Sequence, residues 1–270
     1  MKKLRTLTVS LLAVVLSAPL ATAQQRAPSD TAQAIGADTD TLIAAIQAAA
    51  VSGAPEGAES ISRLLSNGVP PRAAAAGLDA LGVLGLPQGS PAVLRFLEHR
   101  RASLRRHAVA AAQSIHSPDL VRALAGKLSD TDEHVRLDAA TALATVATSA
   151  EIPACMLAFE HDVNGPHGAS GSPFAHELAK AIGRVGSPAQ VQALLAYLRR
   201  APFATMSDAL SMAVRRRDLP EELKLRIVTA VGDLATPSVR PFLQAIASSP
   251  RECGAAVSRA ASSAADRIAG

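Results

Sequence analysis

Aromatic side chains are nearly missing: 270 residues hold five Phe, one Tyr and no Trp. That removes the stacking platforms on which proteins grip single-stranded nucleic acid and sugars. Cysteine is scarcer still, with only Cys155 and Cys253, too few for a disulfide framework. Glycine-rich phosphate loops and the Gly-x-Ser-x-Gly nucleophile turn do not occur. Beyond the first 20 residues no apolar run approaches the roughly 18 residues that a membrane-spanning helix needs.

What is present begins with a leader. Lys2, Lys3 and Arg5 precede an apolar stretch from Leu7 to Leu20, and Ala21-Thr22-Ala23 gives a small-x-small cleavage pattern. Residues 1–23 are therefore expected to be a signal peptide cut after Ala23, with a periplasmic or secreted destination and no stable membrane insertion after cleavage. No Cys stands at the cleavage site to carry a lipid. The leader also distorts the charge. The chain has 27 Lys and Arg against 23 Asp and Glu, but three of the cations lie in the leader, leaving 24 against 23, or +1. A near-neutral mature chain lacks the cationic footprint of a nucleic-acid binder.

A repeat supplies the strongest signal. Leu84, Ile115 and Val146 close similar apolar segments at spacings of 31 and 31 residues. Val185 and Leu234 follow after 39 and 49, which are the same unit lengthened by 8 and 18. Each segment carries a helical stripe, as in Val135, Ala139, Leu143 and Val146, or Leu223, Ile227, Val231 and Leu234. Gly82, Ala144, Gly183 and Gly232 fall at one phase beside the stripe, with Gln113 the exception. Glycine disfavours a helix interior by about 1 kcal/mol relative to Ala, so its return at one phase points to a closely approaching neighbour. Ser117-Pro118, Ser187-Pro188 and Thr236-Pro237 then restart the pattern with a hydroxyl cap and a proline; Ser187 with Gln190 and Thr148 with Glu151 fit capping boxes, and Ser90-Pro91 is a later variant. Each unit thus reads as a first helix, a corner and a second helix. One such hairpin exposes an apolar face that only stacked neighbours bury. In that array the two cysteines lie more than one repeat apart, too far for a bridge, and are expected to be unpaired and buried.

Residues 128–143, Leu-Ser-Asp-Thr-Asp-Glu-His-Val-Arg-Leu-Asp-Ala-Ala-Thr-Ala-Leu, resemble a short bacterial HEAT repeat of the phycobilisome-lyase type. The resemblance covers about residues 55 to 250, and the Asp-then-Val-Arg corner is complete only at Asp132 and Arg136. It implies an all-α fold, an α-α superhelix of the HEAT/armadillo-like solenoid kind, and a binding role without specifying a partner. It also brings an alternative function, a lyase or chromophore-handling enzyme, on fold analogy alone.

The expected organisation is a leader at 1–23, a disordered polar linker at 24–38, and a solenoid at 39–270 whose first helix starts at Asp40 and runs to Val51. Insertions near 161–173 and 201–219 interrupt it. The first is rich in Gly, Ser and Pro and reads as a loop; the second carries Met206, Leu210, Ala213 and Val214 at helical spacing and reads as an additional helix. Residues 251–268 read as an Ala-rich terminal cap.

Candidate chemistry is sparse. His161, His167 and His176 flank the first insertion, but their spacing matches no metal-ligand pattern, and Lys180 stands where a zinc-peptidase motif starting at His176-Glu177 needs its second His. Neither a metal nor a cofactor is expected. Glu98 to His107 is the densest cationic stretch, read either as an anion-gripping patch or as a solvated corner. Cys155 sits in an apolar first helix and reads as packing. In HEAT-like arrays the second helices usually line the concave face. Carrying the exposed positions of Asp138 and Thr141 through the register gives Asp79, His107, Glu177, Lys180, Arg184, Arg226 and Asp233 as partner-contact candidates. Their mixed signs favour a polypeptide partner over a polyanion. The expected function is an exported, non-catalytic scaffold for a protein of unspecified identity.

Overall fold

The computed structural model describes residues 28–51, 53–115, 117–166 and 171–269. The leader and residues 24–27 lie outside the described residues. All regular structure among those described is helical, and proline in the first turn opens many of the helices, where its missing N–H has no intrahelical acceptor to lose. The helices stack as hairpins in the manner of HEAT- and armadillo-like α-solenoids, in two compact units divided between Leu124 and Ala125.

The first unit holds α1 (Pro28–Val51), α2 (Pro55–Ser66), α3 (Pro71–Leu84), α4 (Ser90–Leu97), α5 (Ala102–Ser114) and most of α6 (Pro118–Gly126). Its second-helix row is α1, α3, α5, with α3 packed between the other two; α2 backs α3 and α4 backs α5. Ile61, Leu65, Leu78, Leu81, Leu97 and Ile115 are fully buried in this unit.

In the second unit follow α7 (Glu133–Val146), α8 (Ile152–Val163), α9 (Pro173–Val185), α10 (Pro188–Leu195) and α11 (Phe203–Arg215). The chain then forms α12 (Glu221–Gly232), α13 (Arg240–Ala247), α14 (Pro250–Cys253) and α15 (Ala255–Ala269). Helix α9 packs against α7, α8 and α11, while α15 covers α12 and α13. Met206, Leu210, Ala213 and Val214, the stripe of the second insertion, are all fully buried on α11.

Caps follow side-chain chemistry where the geometry allows. Asp132 accepts from the backbone N–H of His134 and Val135 at 3.0 and 3.1 Å and starts α7. Ser187 and Gln190 form the reciprocal capping box of α10. Glu151 reaches back to the Thr148 N–H at 2.9 Å, but the Thr148 hydroxyl donates to that same carboxylate instead of capping the helix. Ser90 lies inside α4, because Pro87 first opens a short 3-10 turn; Pro237 does the same before α13, and the Thr236 hydroxyl pairs with Ser238.

Three boundaries differ from the sequence reading. Helix α1 begins at Pro28 rather than Asp40, so residues 28–38 are helical; Pro28 suits a first turn, and the alanines that follow suit a helix interior. His161–Val163 extend α8 instead of starting the loop, because Val163 is buried with Phe159 one turn earlier. The terminal segment is broken at Gly254, whose φ of 98° separates α14 from α15.

The glycine phase has a direct structural cause. A Cβ on Gly82 would lie 3.2 Å from Ala111 Cα, one on Gly232 3.0 Å from Ala264 Cβ, and one on Gly183 only 2.2 Å from the Ala209 carbonyl oxygen. Backbone touches backbone at Gly183, so no side-chain motion can make room. Gly183→Ala is expected to destabilise the fold by about 1–3 kcal/mol, overpacking outweighing the better helix propensity. Gly126→Ala, with nothing within 4 Å of the new methyl, is expected to stabilise it by about 0.5–1 kcal/mol. Urea denaturation of the two variants checks the opposite signs.

Candidate functional site

The second-helix row gives each unit one exposed polar face. In the first unit, Asp79 on α3 and His107 on α5 meet across the helix pair, Oδ1 to Nδ1 at 2.6 Å, both partly exposed. Arg72 on α3 likewise reaches Asp40 on α1 at 3.0 Å, both largely in solvent. Exposed ion pairs of this sort contribute little to stability. They do hold polar side chains of neighbouring second helices in fixed rows.

In the second unit the face runs over α7, α9 and α11. Thr141 is exposed and Asp138 half-buried on α7. On α9 Glu177 and Lys180, one turn apart, form a bidentate pair at 2.9 and 3.1 Å, with both side chains mostly covered. His176 bridges to α11: Nδ1 lies 3.2 Å from the Ala204 carbonyl oxygen and Nε2 3.3 Å from Asp208 Oδ2. Asp208 was not singled out from sequence, because the register was carried from α9 directly to α12.

That register step is where the site reading changes. The helix seated beside α9 is α11, and α12 packs chiefly on α15. Arg226 and Asp233 therefore do not continue the face of Asp138 and Glu177. Arg226 instead reaches Gln192 of α10 at 3.3 Å, and Asp233 caps the end of α12. The spacing of 49 residues correctly marked an insertion, but nothing in a spacing says whether the inserted helix bulges out or joins the row.

Arg184 does different work from the one its position suggested. Its Nε donates to the Ala144 carbonyl at 2.8 Å and its Nη2 to those of Ala147 at 2.7 Å and Leu143 at 3.4 Å, capping the C-terminal end of α7. A cation there also meets the negative end of the helix dipole. Burial lowers its pKa, with the Cys155 thiol nearby opposing the shift. Arg216 repeats the arrangement on the end of α9, donating to Gly183 at 3.2 Å and Gly186 at 2.7 Å, and it is held from outside by Asp218 through paired contacts.

The cationic stretch at 98–107 resolves in part the same way. Arg105 is buried and donates to the His99 and Arg100 carbonyls at 2.9 and 3.3 Å. Arg136, 31 residues later, donates to Asp130 at 2.8 Å and Thr131 at 3.4 Å. Both close the corner between first and second helix, so Arg105 shares the corner role that sequence recognised only at Arg136. The 31-residue spacing was the available clue. Arg100 and Arg101 are exposed.

The thiols are poor nucleophiles. Burial, reinforced by Glu151, pushes Cys155 up to about 12, and burial raises Cys253 as well. Both are free. His161 is exposed on α8, His176 is engaged as described, and His167 lies outside the described residues. Among the described residues no three His, Cys, Asp or Glu gather as metal ligands. A shallow, open depression of about 610 Å³ lies along α15, lined by Arg259, Ser262, Ser263, Asp266 and Arg267.

The hydrogen bonds from Arg216 hold the exposed Asp218 carboxyl below its usual range. A depressed carboxylate stabilises the fold above its ordinary range and loses that contribution as pH falls through the lowered value. Asp218→Asn is therefore expected to lower the unfolding free energy slightly at about pH 7, by less than about 1 kcal/mol because solvent screens the pair, which shows as a lower urea midpoint. The gap to the parent should narrow as pH drops below about 4. Parallel urea titrations at both pH values check this.

No protein-family model and no curated protein matches the chain. Among solved structures, one engineered protein is similar at 18% identity, over 96% of this chain and 68% of its own, with a TM-score of 0.50. A designed armadillo repeat protein is similar at 18% identity over 78% of this chain and 99% of its own, with a TM-score of 0.42. A second engineered protein gives 16%, 97%, 96% and 0.38 for the same quantities. The chain shares with the first of these its fold, an all-α stack of helical hairpins.

Proposed function

We propose that this chain is an exported, non-catalytic scaffold that holds another polypeptide on its second-helix faces. The observation that carries the reading is the repeated row of paired polar side chains on the second helices: Asp79 with His107 in the first unit, and Glu177 with Lys180, mostly covered, and His176 with the exposed Asp208 in the second. Such rows suit a partner that makes many modest polar contacts over an extended surface. Charges already matched within the protein favour a polypeptide over a polyanion, as does the near-neutral mature chain. Export rests on the leader sequence. No helix among the described residues is long and apolar enough to cross a membrane.

The test uses the mature chain from Gln24, immobilised and exposed to extracts of the producing cell's envelope. One polypeptide in stoichiometric amount is expected. Thr141→Arg, which adds bulk and charge at an exposed position, and Asp79→Lys should each reduce capture at least tenfold, a loss of about 1.4 kcal/mol. Far-UV circular dichroism should stay unchanged. Undiminished capture by both variants removes the face from the account.

A further inference from the structure

The two inter-helix arginines occupy equivalent joints. Arg184 binds the carbonyls of Ala144 and Ala147, and Arg216 those of Gly183 and Gly186, pairs separated by the same 39 residues. Ala147 and Gly186 are the C-caps of α7 and α9, and both leave the helix in extended conformation, with ψ of 144° and 149°. An extended exit does not fold the chain back over the last turn, as a left-handed cap does, and so leaves terminal carbonyls in need of donors. A guanidinium, planar and with five N–H groups, can serve several of them at once. Each arginine joins three pieces: the end of one second helix, the turn into the next hairpin, and the second helix of that hairpin or the residue that closes it.

We infer that Arg184 and Arg216 form a conformational lock that fixes the spacing of α7, α9 and α11, so that the face of the second unit is preformed. No arginine stands at the matching position of the first unit's second helices. One residue before the repeat's closing position, where Arg184 stands in α9, α3 has Val83 and α5 has Ser114. Val83 has no donor and is exposed, and α3 ends instead on Gly85 in the left-handed conformation at φ 62°. Asp218 keeps the Arg216 fork aimed at α9 from the solvent side. This inference does not depend on the chain binding a polypeptide.

Hydrogen exchange read by mass spectrometry on the whole mature chain tests it. The reporting amides are Ala147, bonded to Leu143 at 3.0 Å, and Gly186, bonded to Ile182 at 2.8 Å; Gly85, bonded to Leu81 at 3.0 Å, is the control. Arg184→Gln should speed exchange over 143–147 by about tenfold, and Arg216→Gln over 182–186 by a similar factor, with 81–85 unchanged. Arg184→Lys and Arg216→Lys, which keep the charge but lose the fork, should give the same local effects more weakly. They serve as the test if a glutamine variant does not fold. Unchanged exchange at the reporting turns, or a rise spread evenly over both units, overturns the lock.

Discussion

A helical hairpin built mainly of alanine and leucine has one face it cannot leave in water, and in this chain that face is covered only by the next hairpin. The alanine-rich composition makes the cover thin, so the helices must approach until backbones nearly touch. Gly183 against Ala209 is the extreme case, with the glycine hydrogen occupying space that no methyl could share. Gly82 against Ala111 and Gly232 against Ala264 repeat the solution in milder form. Large aromatic side chains would hold second helices apart at such contacts, which gives their scarcity a packing reason. Stability then comes from many shallow contacts spread along each unit instead of one deep core.

Close approach has a consequence for polar groups. Helices ending beside one another crowd carbonyl oxygens that water reaches poorly, and the chain answers with arginine. Arg105 and Arg136 close corners within hairpins, Arg95 binds the Leu65 and Ser66 carbonyls at the end of α2, and Arg184 and Arg216 join successive second helices. These five of the 24 cations outside the leader thus have a structural role. A count of basic residues reads these five as free surface charge, although each binds backbone carbonyls.

The legible part of the fold was whatever repeats at constant spacing. The 31-residue period, the helical stripes and the small-residue phase led to stacked hairpins, and the described residues hold stacked hairpins. The Ser187 capping box was visible because its partners are three residues apart. Register across an insertion was not legible: α11 enters the row beside α9, and Arg226 and Asp233 leave it, because the choice depends on tertiary packing that no local pattern encodes. The start of α1 was hidden by a small, polar composition that suits a helix as well as a linker. Of the candidate face, Asp79, His107, Glu177 and Lys180 were placed in cross-helix or same-helix pairs, whereas Arg184 has its fork committed to carbonyls. Sequence gives the position of a charged side chain on a helix, but not the acceptor that a neighbouring helix brings to it.

The central claim is that second helices touch at the small-residue positions, and that α11 is the neighbour of α9. Nuclear Overhauser contacts measured on the mature chain with labelled alanine methyls test it directly. Cross-peaks between Gly82 and Ala111, Gly183 and Ala209, and Gly232 and Ala264 are the expected result. Cross-peaks from Gly183 to Ala230 of α12, with none to Ala209, would contradict the account.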